Sequence, residues 1–478
     1  MAPKTPLNAK TLAALGTPRL CELLMEFGER DAAIKRRLRL ELASLRSADD
    51  IIREISKRLK TIARSRSFVE WHQLKPLVQD LDMQRRAIAG PAANADPAAA
   101  LELMWEFLGL ANSIFARCDD SNGVIGEVFG NALDDVGAIA GAAKASPKPL
   151  ADRIFNALTD NGYGQYDGLI EIFSPHLGQE GLEHLKARFL KLAKTPVAKP
   201  PLDQRKKIGW GPGGPIYEDE LTRQHQDVTI SLALQQIADA QGDVDAFIAQ
   251  QSEKARGVPS VASGIADRLL AVGRAQEALS ALDAIDGRWA NRTPFEWEAT
   301  RIDALEALGR NQEAQAFRWA CFQRSFNANH LRAYLKRLPD FDDIEAEERA
   351  LSFVQDSPDH HAVLEFLVFW PALEQAAKLV FRHADAWNGD LYELLSPAAE
   401  ALGEKQPLAA TILLRSMIDF TLVNGRSKRY RHAARHLTEC ANLAAAIGDF
   451  GSLPGHEPYI AGLKAQHGRK SGFWGLLS

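Results

Sequence analysis

The segment Ala271-Val272-Gly273-Arg274-Ala275-Gln276-Glu277-Ala278 decides the fold, because the chain repeats it as Ala307-Leu308-Gly309-Arg310-Asn311-Gln312-Glu313-Ala314. The two copies are 36 residues apart, and looser copies occur at Ala240-Gln241-Gly242-Asp243 and Ala401-Leu402-Gly403-Glu404. A helix that ends at glycine, a tight turn and a second helix that opens on Glu-Ala form the unit of a tetratricopeptide-like helical hairpin. Each hairpin has one apolar face that it cannot bury alone, so hairpins stack. The sequence therefore predicts an all-α helical solenoid.

The bulk composition is that of an ordinary soluble protein. The chain has 478 residues, 46% apolar and 25% charged, and its net charge of −5 gives no overall attraction to nucleic acid or anionic membranes. Its four cysteines are Cys21, Cys118, Cys321 and Cys440, and no Cys-x-x-Cys occurs. This spacing favours a reducing compartment and argues against a disulfide framework or a ribbon-type zinc site.

Targeting and membrane signals are weak. Residues Met1–Lys10 lack the apolar core of a secretory signal. The most apolar stretch, Val363–Phe381, is interrupted by charges and a proline, and its longest apolar run covers only Phe366–Leu373. A membrane span needs about 20 residues. We expect a cytoplasmic protein without a transmembrane segment.

Helix starts recur along the chain, whereas strand signals are weak. Thr293-Pro294-Phe295-Glu296, for example, predicts a capping box with Thr293 as the cap. A stretch rich in Pro and Gly interrupts the helical pattern, and such a stretch cannot continue a helix. We therefore expect an N-terminal helical domain at 1–195, a linker or strap at 196–219, and a repeat domain at 220–478.

The first basic segment is 35–66, with 11 Lys or Arg against 4 Asp or Glu. Arg53, Lys57 and Lys60 share one helix face, because they lie at i, i+4 and i+7. Such a stripe suits the phosphates of a nucleic acid. The alternative is the solvated face of an amphipathic helix, which is the more common origin of a charged stripe.

The second basic segment is 424–440, with 5 Lys or Arg against one Glu. Arginine forks suit the planar oxygens of carboxylates and phosphates. The candidate binding residues are Arg426, Arg429, Tyr430, Arg431, His432, Arg435 and His436. The alternative is a helix that forms ion pairs with the acidic segment 341–360, which has 7 Asp or Glu against one Arg.

His432, His436 and Cys440 lie at i, i+4 and i+8, a spacing that zinc accepts. The segment lacks the glutamate of a metalloprotease helix, and Arg435 would repel a cation. We expect no metal, no cofactor and no catalytic residue. An enzyme or metal protein centred on Arg431, His432 and His436 is the third alternative.

Two further segments offer binding candidates. The loop 160–168 contains Tyr163 and Tyr166 among three glycines, and the tyrosines would either bind a ligand or fill a hairpin corner. The tail 467–474 contains Arg469, Lys470 and Trp474, and it would either dock to a partner or close the last hairpin.

Several of these segments together resemble an uncharacterised family of bacterial, largely proteobacterial, helical proteins. The resembling stretches spread over nearly the whole chain: Arg36-Arg37-Leu38, 62–68, Asp119-Asp120-Ser121, 162–168, 426–436 and 467–474. The part from Arg415 to Trp474 is also similar to the helical region that follows the finger in bacterial SWIM zinc-finger proteins. The Cys-x-Cys…Cys-x-His ligands of that finger are missing here. The resemblance therefore implies a repeat-like helical scaffold and no catalytic residue.

Together these observations favour a non-catalytic scaffold of the bacterial cytoplasm that binds a protein partner on the concave face of its 220–478 array. The alternative is a nucleic-acid-associated protein that binds the phosphate backbone through 35–66 and 426–436. Nothing in the sequence suggests a membrane partner.

Overall fold

A computed structural model describes residues 8–195, 199–289 and 292–477, and it confirms the all-α fold class over those ranges. Two compact units are present, 1–255 and 256–478. Besides helices, the described residues form one two-stranded hairpin and one isolated bridge between Val69 and Cys118. The predictions that concern Met1–Leu7 and Pro196–Ala198 lie outside the described residues.

The first unit consists of helices joined mostly by short turns, with a π-helical turn at Ile88–Ala92. Its elements are α1 (Ala9–Ala13), α2 (Thr17–Arg30), α3 (Ala32–Ser44), α4 (Ala48–Arg64), α5 (Trp71–Ala87), α6 (Ala93–Ala95), α7 (Pro97–Leu108), α8 (Ala111–Phe115), α9 (Val124–Ala143), α10 (Pro147–Thr159), α11 (Leu169–Ala193), β1 (Lys207–Gly211), β2 (Gly214–Tyr217), α12 (Glu218–Gln241) and α13 (Val244–Ala249). A short helix, α14 (Glu253–Arg256), crosses the boundary between the units.

The second unit is helical throughout its described residues, with 3₁₀ turns at Gly287–Trp289 and Ser427–Arg429. Its helices are α15 (Pro259–Ala271), α16 (Ala275–Asp283), α17 (Phe295–Ala307), α18 (Asn311–Ser325), α19 (Ala328–Leu335), α20 (Asp342–Gln355), α21 (His360–Phe369), α22 (Leu373–Arg382), α23 (Tyr392–Gly403), α24 (Pro407–Val423), α25 (Tyr430–Ala444), α26 (His456–His467) and α27 (Ser471–Trp474).

The repeated segment forms the same helical corner twice. Gly273 separates α15 from α16 and Gly309 separates α17 from α18, with φ of 76° and 71°. Glycine adopts this left-handed conformation without the steric penalty of a Cβ. After each glycine an arginine binds the glutamate three residues later, Arg274 to Glu277 at 2.6 Å and Arg310 to Glu313 at 2.5 Å. The two corners thus share their glycine conformation and their ion pair, while the stacking of the hairpins into a solenoid stays a prediction.

One buried carboxylate links three helices of the first unit. Asp80 on α5 is 4% exposed, and its Oδ2 accepts a hydrogen bond from Arg58 Nε of α4 at 2.9 Å. Arg36 Nε of α3 lies 3.4 Å from Oδ1. Two arginines of the first basic segment therefore neutralise a buried acid, because an unpaired charge in a core is strongly destabilising.

The described part of the Pro/Gly segment, 199–219, lies within the first unit. Its strands β1 and β2 pair antiparallel around Gly213 and Gly214. Arg205 binds Asp219 at 2.9 Å and Glu220 at 2.7 Å, and its guanidinium lies 3.9 Å above the Tyr217 ring. These contacts attach the segment to the start of α12. The domain boundaries drawn from sequence stay a prediction.

One helical stretch among the described residues meets the length and composition of a membrane span. It is Pro97–Phe115, 19 residues with a mean hydropathy of 1.2, and 56% of it is buried inside the fold. A buried core helix passes the same test. The stretch Val363–Phe381, the most apolar by sequence, instead belongs to α21 and α22, two short helices separated at Pro371.

Helix α24 lies at the centre of the C-terminal half of the second unit, with residues buried on most of its turns. The segment before α23 lies directly on it at Gly389. A Cβ at that position would lie 2.1 Å from the Ser416 carbonyl oxygen and 2.6 Å from Phe420 Cβ. Only glycine permits this approach of two backbones.

We expect Gly389→Ala to lower the free energy of unfolding by about 3 kcal/mol, since the clash is with backbone and α24 cannot retreat from a packed core. Urea denaturation followed by circular dichroism measures the change. Gly462→Ala is the control, because nothing lies within 4 Å of a Cβ there. In the middle of α26 it should raise stability by about 0.5–1 kcal/mol. Equal stabilities of the two variants would contradict the close approach.

Candidate functional site

The second basic segment forms one wall of a cavity of about 510 Å³, which we call the His436 cavity. The cavity lies between the segment 389–397, helix α24 and the start of α25. Its lining residues are Gly389, Tyr392, Glu393, Ser396, Pro397, Met417, Thr421, Lys428, Arg429, His432, Ala433, Arg435 and His436. Four of the residues predicted from sequence, Arg429, His432, Arg435 and His436, therefore lie at one site.

Local structure explains why these side chains converge. Gly425, with φ of 60°, ends the connection after α24, and a 3₁₀ turn leads into α25. On α25 the small residues Ala433 and Ala434 are buried, which brings the helix close to the core. The basic residues on either side of them are left at the edge of the cavity.

Arg429 is held in place from two sides. Its Nη1 donates a hydrogen bond to Asp390 Oδ1 at 2.6 Å, and its guanidinium lies 4.7 Å above the Tyr392 ring. Among the described residues, the ion pair of the basic segment joins Arg429 to Asp390. The alternative pairing with 341–360 is therefore wrong for Arg429. The acid that binds Arg429 lies in the segment that Gly389 places on α24.

His436 lies in the inner wall of the cavity and is 5% exposed. Its Nδ1 has no hydrogen-bond partner, and the nearest carboxylate oxygen, Glu439 Oε2, is 3.9 Å away. Burial is the main reason that the pKa of His436 is lowered to about 4, and the charges of Arg435 and His432 add to this lowering. At neutral pH the inner wall therefore presents an uncharged imidazole.

The cavity is better suited to binding an anion than to catalysis. The lining contains Lys428, Arg429, His432 and Arg435 and one acidic residue, Glu393. The hydroxyl of Ser396 donates to the sulfur of Met417 at 3.5 Å, so it is not aligned with a base. Anions bind where cationic donors surround a partly desolvated pocket.

The other residues predicted in this segment lie away from the cavity. Arg426 and Arg431 are exposed. Tyr430 packs edge-on against Phe473, with 5.9 Å between ring centroids. Tyr430 therefore contributes to packing against α27.

In the tail, Phe473 is fully buried and Trp474 Nε1 donates to the His467 carbonyl at 3.0 Å. The Lys464 amine lies 5.7 Å above the Trp474 ring. Arg469 is exposed and Lys470 is half-buried. The aromatic residues of the tail thus pack on the second unit, and the two basic residues lie at its surface.

The residues predicted in the first unit lie in two places, on α4 and in the loop between α10 and α11. Arg53, Lys57 and Lys60 are exposed on α4, and Arg53 Nη1 lies 3.3 Å from Asp50. In the loop between α10 and α11, Tyr166 is buried, whereas Tyr163 is 54% exposed and stacks on Phe115 at 5.2 Å.

One group of side chains among the described residues has metal-ligand chemistry and close spacing. Glu298, Cys321 and His330 are all buried, with ligand atoms within 4.8 Å of one another. His432, His436 and Cys440 do not form such a group in the described chain. Glu298 already binds a cation, because Arg324 forms an ion pair with it, and His330 Nε2 lies 2.7 Å from Glu298 Oε2.

This group reads as a structural network that links α17, α18 and α19. Burial alone would raise the pKa of Glu298, but hydrogen bonds from His330 and Thr293 and the charge of Arg324 outweigh burial and lower it. Burial raises the pKa of Cys321 to about 12, so the thiol stays protonated. The predicted capping role of Thr293 is wrong. Pro294 precedes α17, and the Thr293 hydroxyl donates to Glu298 at 2.9 Å.

Sequence reasoning missed the cavity residues contributed by other elements. Tyr392, Glu393 and Ser396 come from α23, and Met417 and Thr421 come from α24. Ser396 belongs to Ser396-Pro397-Ala398-Ala399-Glu400, a pattern that predicts a helix start, but α23 begins earlier, at Tyr392. The other four belong to no motif or charged run, so sequence alone offered no signal that these residues line a cavity.

The chain belongs to a family of unknown function, DUF6880, whose match covers residues 2–476. No curated protein and no solved structure matches the chain significantly. The family membership therefore agrees with a full-length resemblance and assigns no activity.

The lowered pKa of His436 predicts a pH dependence of stability. In the unfolded chain a histidine titrates near pH 6.5, whereas in the fold His436 titrates at about 4. Below pH 6.5 the unfolded state binds a proton that the folded state does not, so stability falls as pH decreases towards 4. At pH 5 this residue should account for about 2 kcal/mol of the loss.

Urea denaturation at about pH 7.5 and about pH 5 measures this loss. His436→Gln should lose about 2 kcal/mol less than the wild type between the two pH values. His225→Gln should behave as the wild type, because His225 is exposed on α12 and does not line the cavity. If wild type and His436→Gln lose the same free energy, His436 is not buried as a neutral imidazole.

Proposed function

We propose that this protein is a non-catalytic helical scaffold and that its His436 cavity binds an acidic segment of a protein partner. The observation that carries the proposal is the convergence of Lys428, Arg429, His432 and Arg435 on one cavity. These four side chains would meet the carboxylates of a partner segment, while the buried wall would exclude water from the contact.

Preorganisation supports this binding role. Arg429 is already positioned by Asp390 and Tyr392, so ordering its side chain costs little on binding. Lys428 and Arg435 have no ion-pair partner among the described residues, and their charges are available to a ligand. A volume of about 510 Å³ is in the range of pockets for small ligands, so it would hold only a short part of a partner segment.

The repeated hairpins support the scaffold part of the proposal, because stacked hairpins commonly serve as binding surfaces. We place the scaffold in the reducing cytoplasm of a bacterium. The four cysteines, all free among the described residues, support that compartment.

Nucleic acid is a weaker alternative for the same basic segments. In 35–66, Arg36 and Arg58 bind the buried Asp80, and Arg53 lies next to Asp50. Fewer cations are therefore available there for phosphates than the sequence count suggests. Recovery of the bound partner with and without nuclease distinguishes a protein partner from a nucleic acid.

Two variants with the same charge change test the proposal. Lys428→Glu with Arg435→Glu reverses charge at the cavity, whereas Arg426→Glu with Arg431→Glu reverses it on the same segment outside the cavity. Tagged proteins are recovered from the native bacterium with and without nuclease, and bound proteins are identified by mass spectrometry. A synthetic peptide of the partner's most acidic segment is then titrated against each variant.

We expect a stoichiometric partner that survives nuclease, and an affinity for the peptide that falls on the order of tenfold or more in the cavity variant alone. Losing charge-assisted hydrogen bonds explains that direction. Equal loss in both variants would contradict a specific cavity, and recovery that collapses with nuclease would assign the basic segments to nucleic acid instead.

A further inference from the structure

Gly389 also lines a second cavity, of about 610 Å³, which we call the Arg415 cavity. This cavity lies against α24, with Trp387 and Asn388 from the segment before α23 and Tyr459 from α26. It shares Gly389 with the His436 cavity but none of the basic residues 426–436. The two cavities therefore differ in the charged side chains that line them.

Arg415 is a buried cation without a direct ion pair. The residue is 6% exposed, and no carboxylate of the described chain forms an ion pair with it. Its Nη1 donates to the Pro454 carbonyl at 2.7 Å, and its guanidinium lies 4.3 Å above the Tyr459 ring. Burial lowers the pKa of Arg415 and outweighs the influence of Cys440, Tyr459 and Asp419, which raise it.

The two unpaired nitrogens of Arg415 form one binding edge. Nε and Nη2 are both buried without a hydrogen-bond partner. These two atoms carry parallel N–H groups on the same side of the guanidinium, the geometry that matches the two oxygens of a carboxylate. Because Pro454 binds the third nitrogen and Tyr459 supports the ring face, the orientation of this edge is set before any ligand arrives.

Two acids line the same cavity: Asp385, which is exposed, and Asp419, which lies one helical turn from Arg415. Asp419 Oδ1 accepts a hydrogen bond from the Tyr459 hydroxyl at 2.7 Å, and burial raises the pKa of Asp419. Asp419 does not pair with Arg415, so the wall presents a separated cation and carboxyl group. A zwitterion complements both, with its carboxylate at Arg415 and its ammonium group at Asp419.

We propose that the Arg415 cavity binds a free amino acid with an apolar or aromatic side chain. The carboxylate would take the Nε and Nη2 edge of Arg415, and the ammonium group would meet Asp419. The side chain would contact Trp387 and Phe420, which line the cavity. This site is independent of the protein partner proposed for the His436 cavity.

Entry to the Arg415 edge requires a local movement. Both nitrogens are buried, and the connection 445–455 between α25 and α26 contacts the same guanidinium. The Phe450 ring centroid lies 5.6 Å from its Cζ, and the Pro454 carbonyl accepts a hydrogen bond from Nη1. This connection carries glycines at 448, 451 and 455 and is exposed at most of its residues. Binding should therefore change hydrogen exchange in 445–455.

Calorimetric titration of the full chain tests the proposal with three related probes. L-phenylalanine carries both charged groups, 3-phenylpropanoate lacks the amine and phenethylamine lacks the carboxylate. We expect L-phenylalanine to bind and each analogue to bind on the order of tenfold more weakly or not at all. A thermal-shift screen of the proteinogenic amino acids then identifies the preferred side chain.

Arg415→Met is the decisive variant, because replacing an unpaired buried cation by an apolar side chain of similar shape preserves packing. It should stay folded and lose L-phenylalanine binding, whereas the exposed control Arg382→Met should bind as the wild type. If Arg415→Met does not fold, Arg415→Lys decides, since lysine keeps the charge but has no parallel pair of donors and should bind on the order of tenfold more weakly.

Two results would overturn the assignment. One is that no proteinogenic amino acid binds the folded wild type at millimolar concentration. The other is that the folded Arg415 variant binds L-phenylalanine as tightly as the wild type does. Failure of this site leaves the acidic-segment proposal intact, because Lys428 and Arg435 do not line the Arg415 cavity.

Discussion

The contact between Gly389 and the Ser416 carbonyl is the constraint on which both cavities depend. A helix surface normally keeps a neighbouring backbone at the distance set by side chains on both sides. At Gly389 there is no Cβ, so the segment before α23 rests directly on α24. Asp390 and Tyr392 then reach Arg429 on one side, and Trp387 and Asn388 border Arg415 on the other. The absence of a Cβ at Gly389 therefore helps to position residues from α23, α24, the 3₁₀ turn Ser427–Arg429 and the connection before α23.

The buried ionisable residues discussed above are of two kinds. Some are neutralised by neighbouring residues and stabilise the fold, whereas others keep an unpartnered atom that a ligand could bind. Asp80 and Glu298 are surrounded by arginines or a histidine, so their charges are neutralised inside the fold. Such networks link helices and place each buried carboxylate beside a cation, although Arg36 Nε in the Asp80 network has no hydrogen-bond partner. Arg415 and His436 are equally buried, yet Arg415 Nε and Nη2 and His436 Nδ1 have no hydrogen-bond partner. Unsatisfied polar groups cost free energy, and both of these residues line a cavity where a ligand can supply the missing partner.

The sequence predicted those local features that depend only on residues close together in the chain. The left-handed glycines of Gly273 and Gly309 follow from the repeat, because a tight turn between helices requires their φ. The basic run 426–436 was recognisable as a candidate binding segment, because its charged residues are close together in the chain. Thr293 shows the limit of such reasoning. The local sequence around it fits a capping box. In the fold, however, the Thr293 hydroxyl donates its hydrogen bond to Glu298, an acid that is buried only by tertiary packing.

The sequence by itself determined the helical class, the glycine corners and the two basic segments, since helix periodicity, turn chemistry and charge act over a few residues. Only the tertiary structure decided which basic residues share a site. Arg36 and Arg58 turn inward to Asp80, whereas Arg429 and Arg435 border a cavity completed by α23 and α24. Tertiary packing also made Arg415 a candidate ligand-binding residue. The sequence shows one arginine in an apolar helix and does not show whether its guanidinium has a partner. Whether a buried charge has a counter-ion depends on residues distant in sequence, and the pattern of any single segment does not contain them.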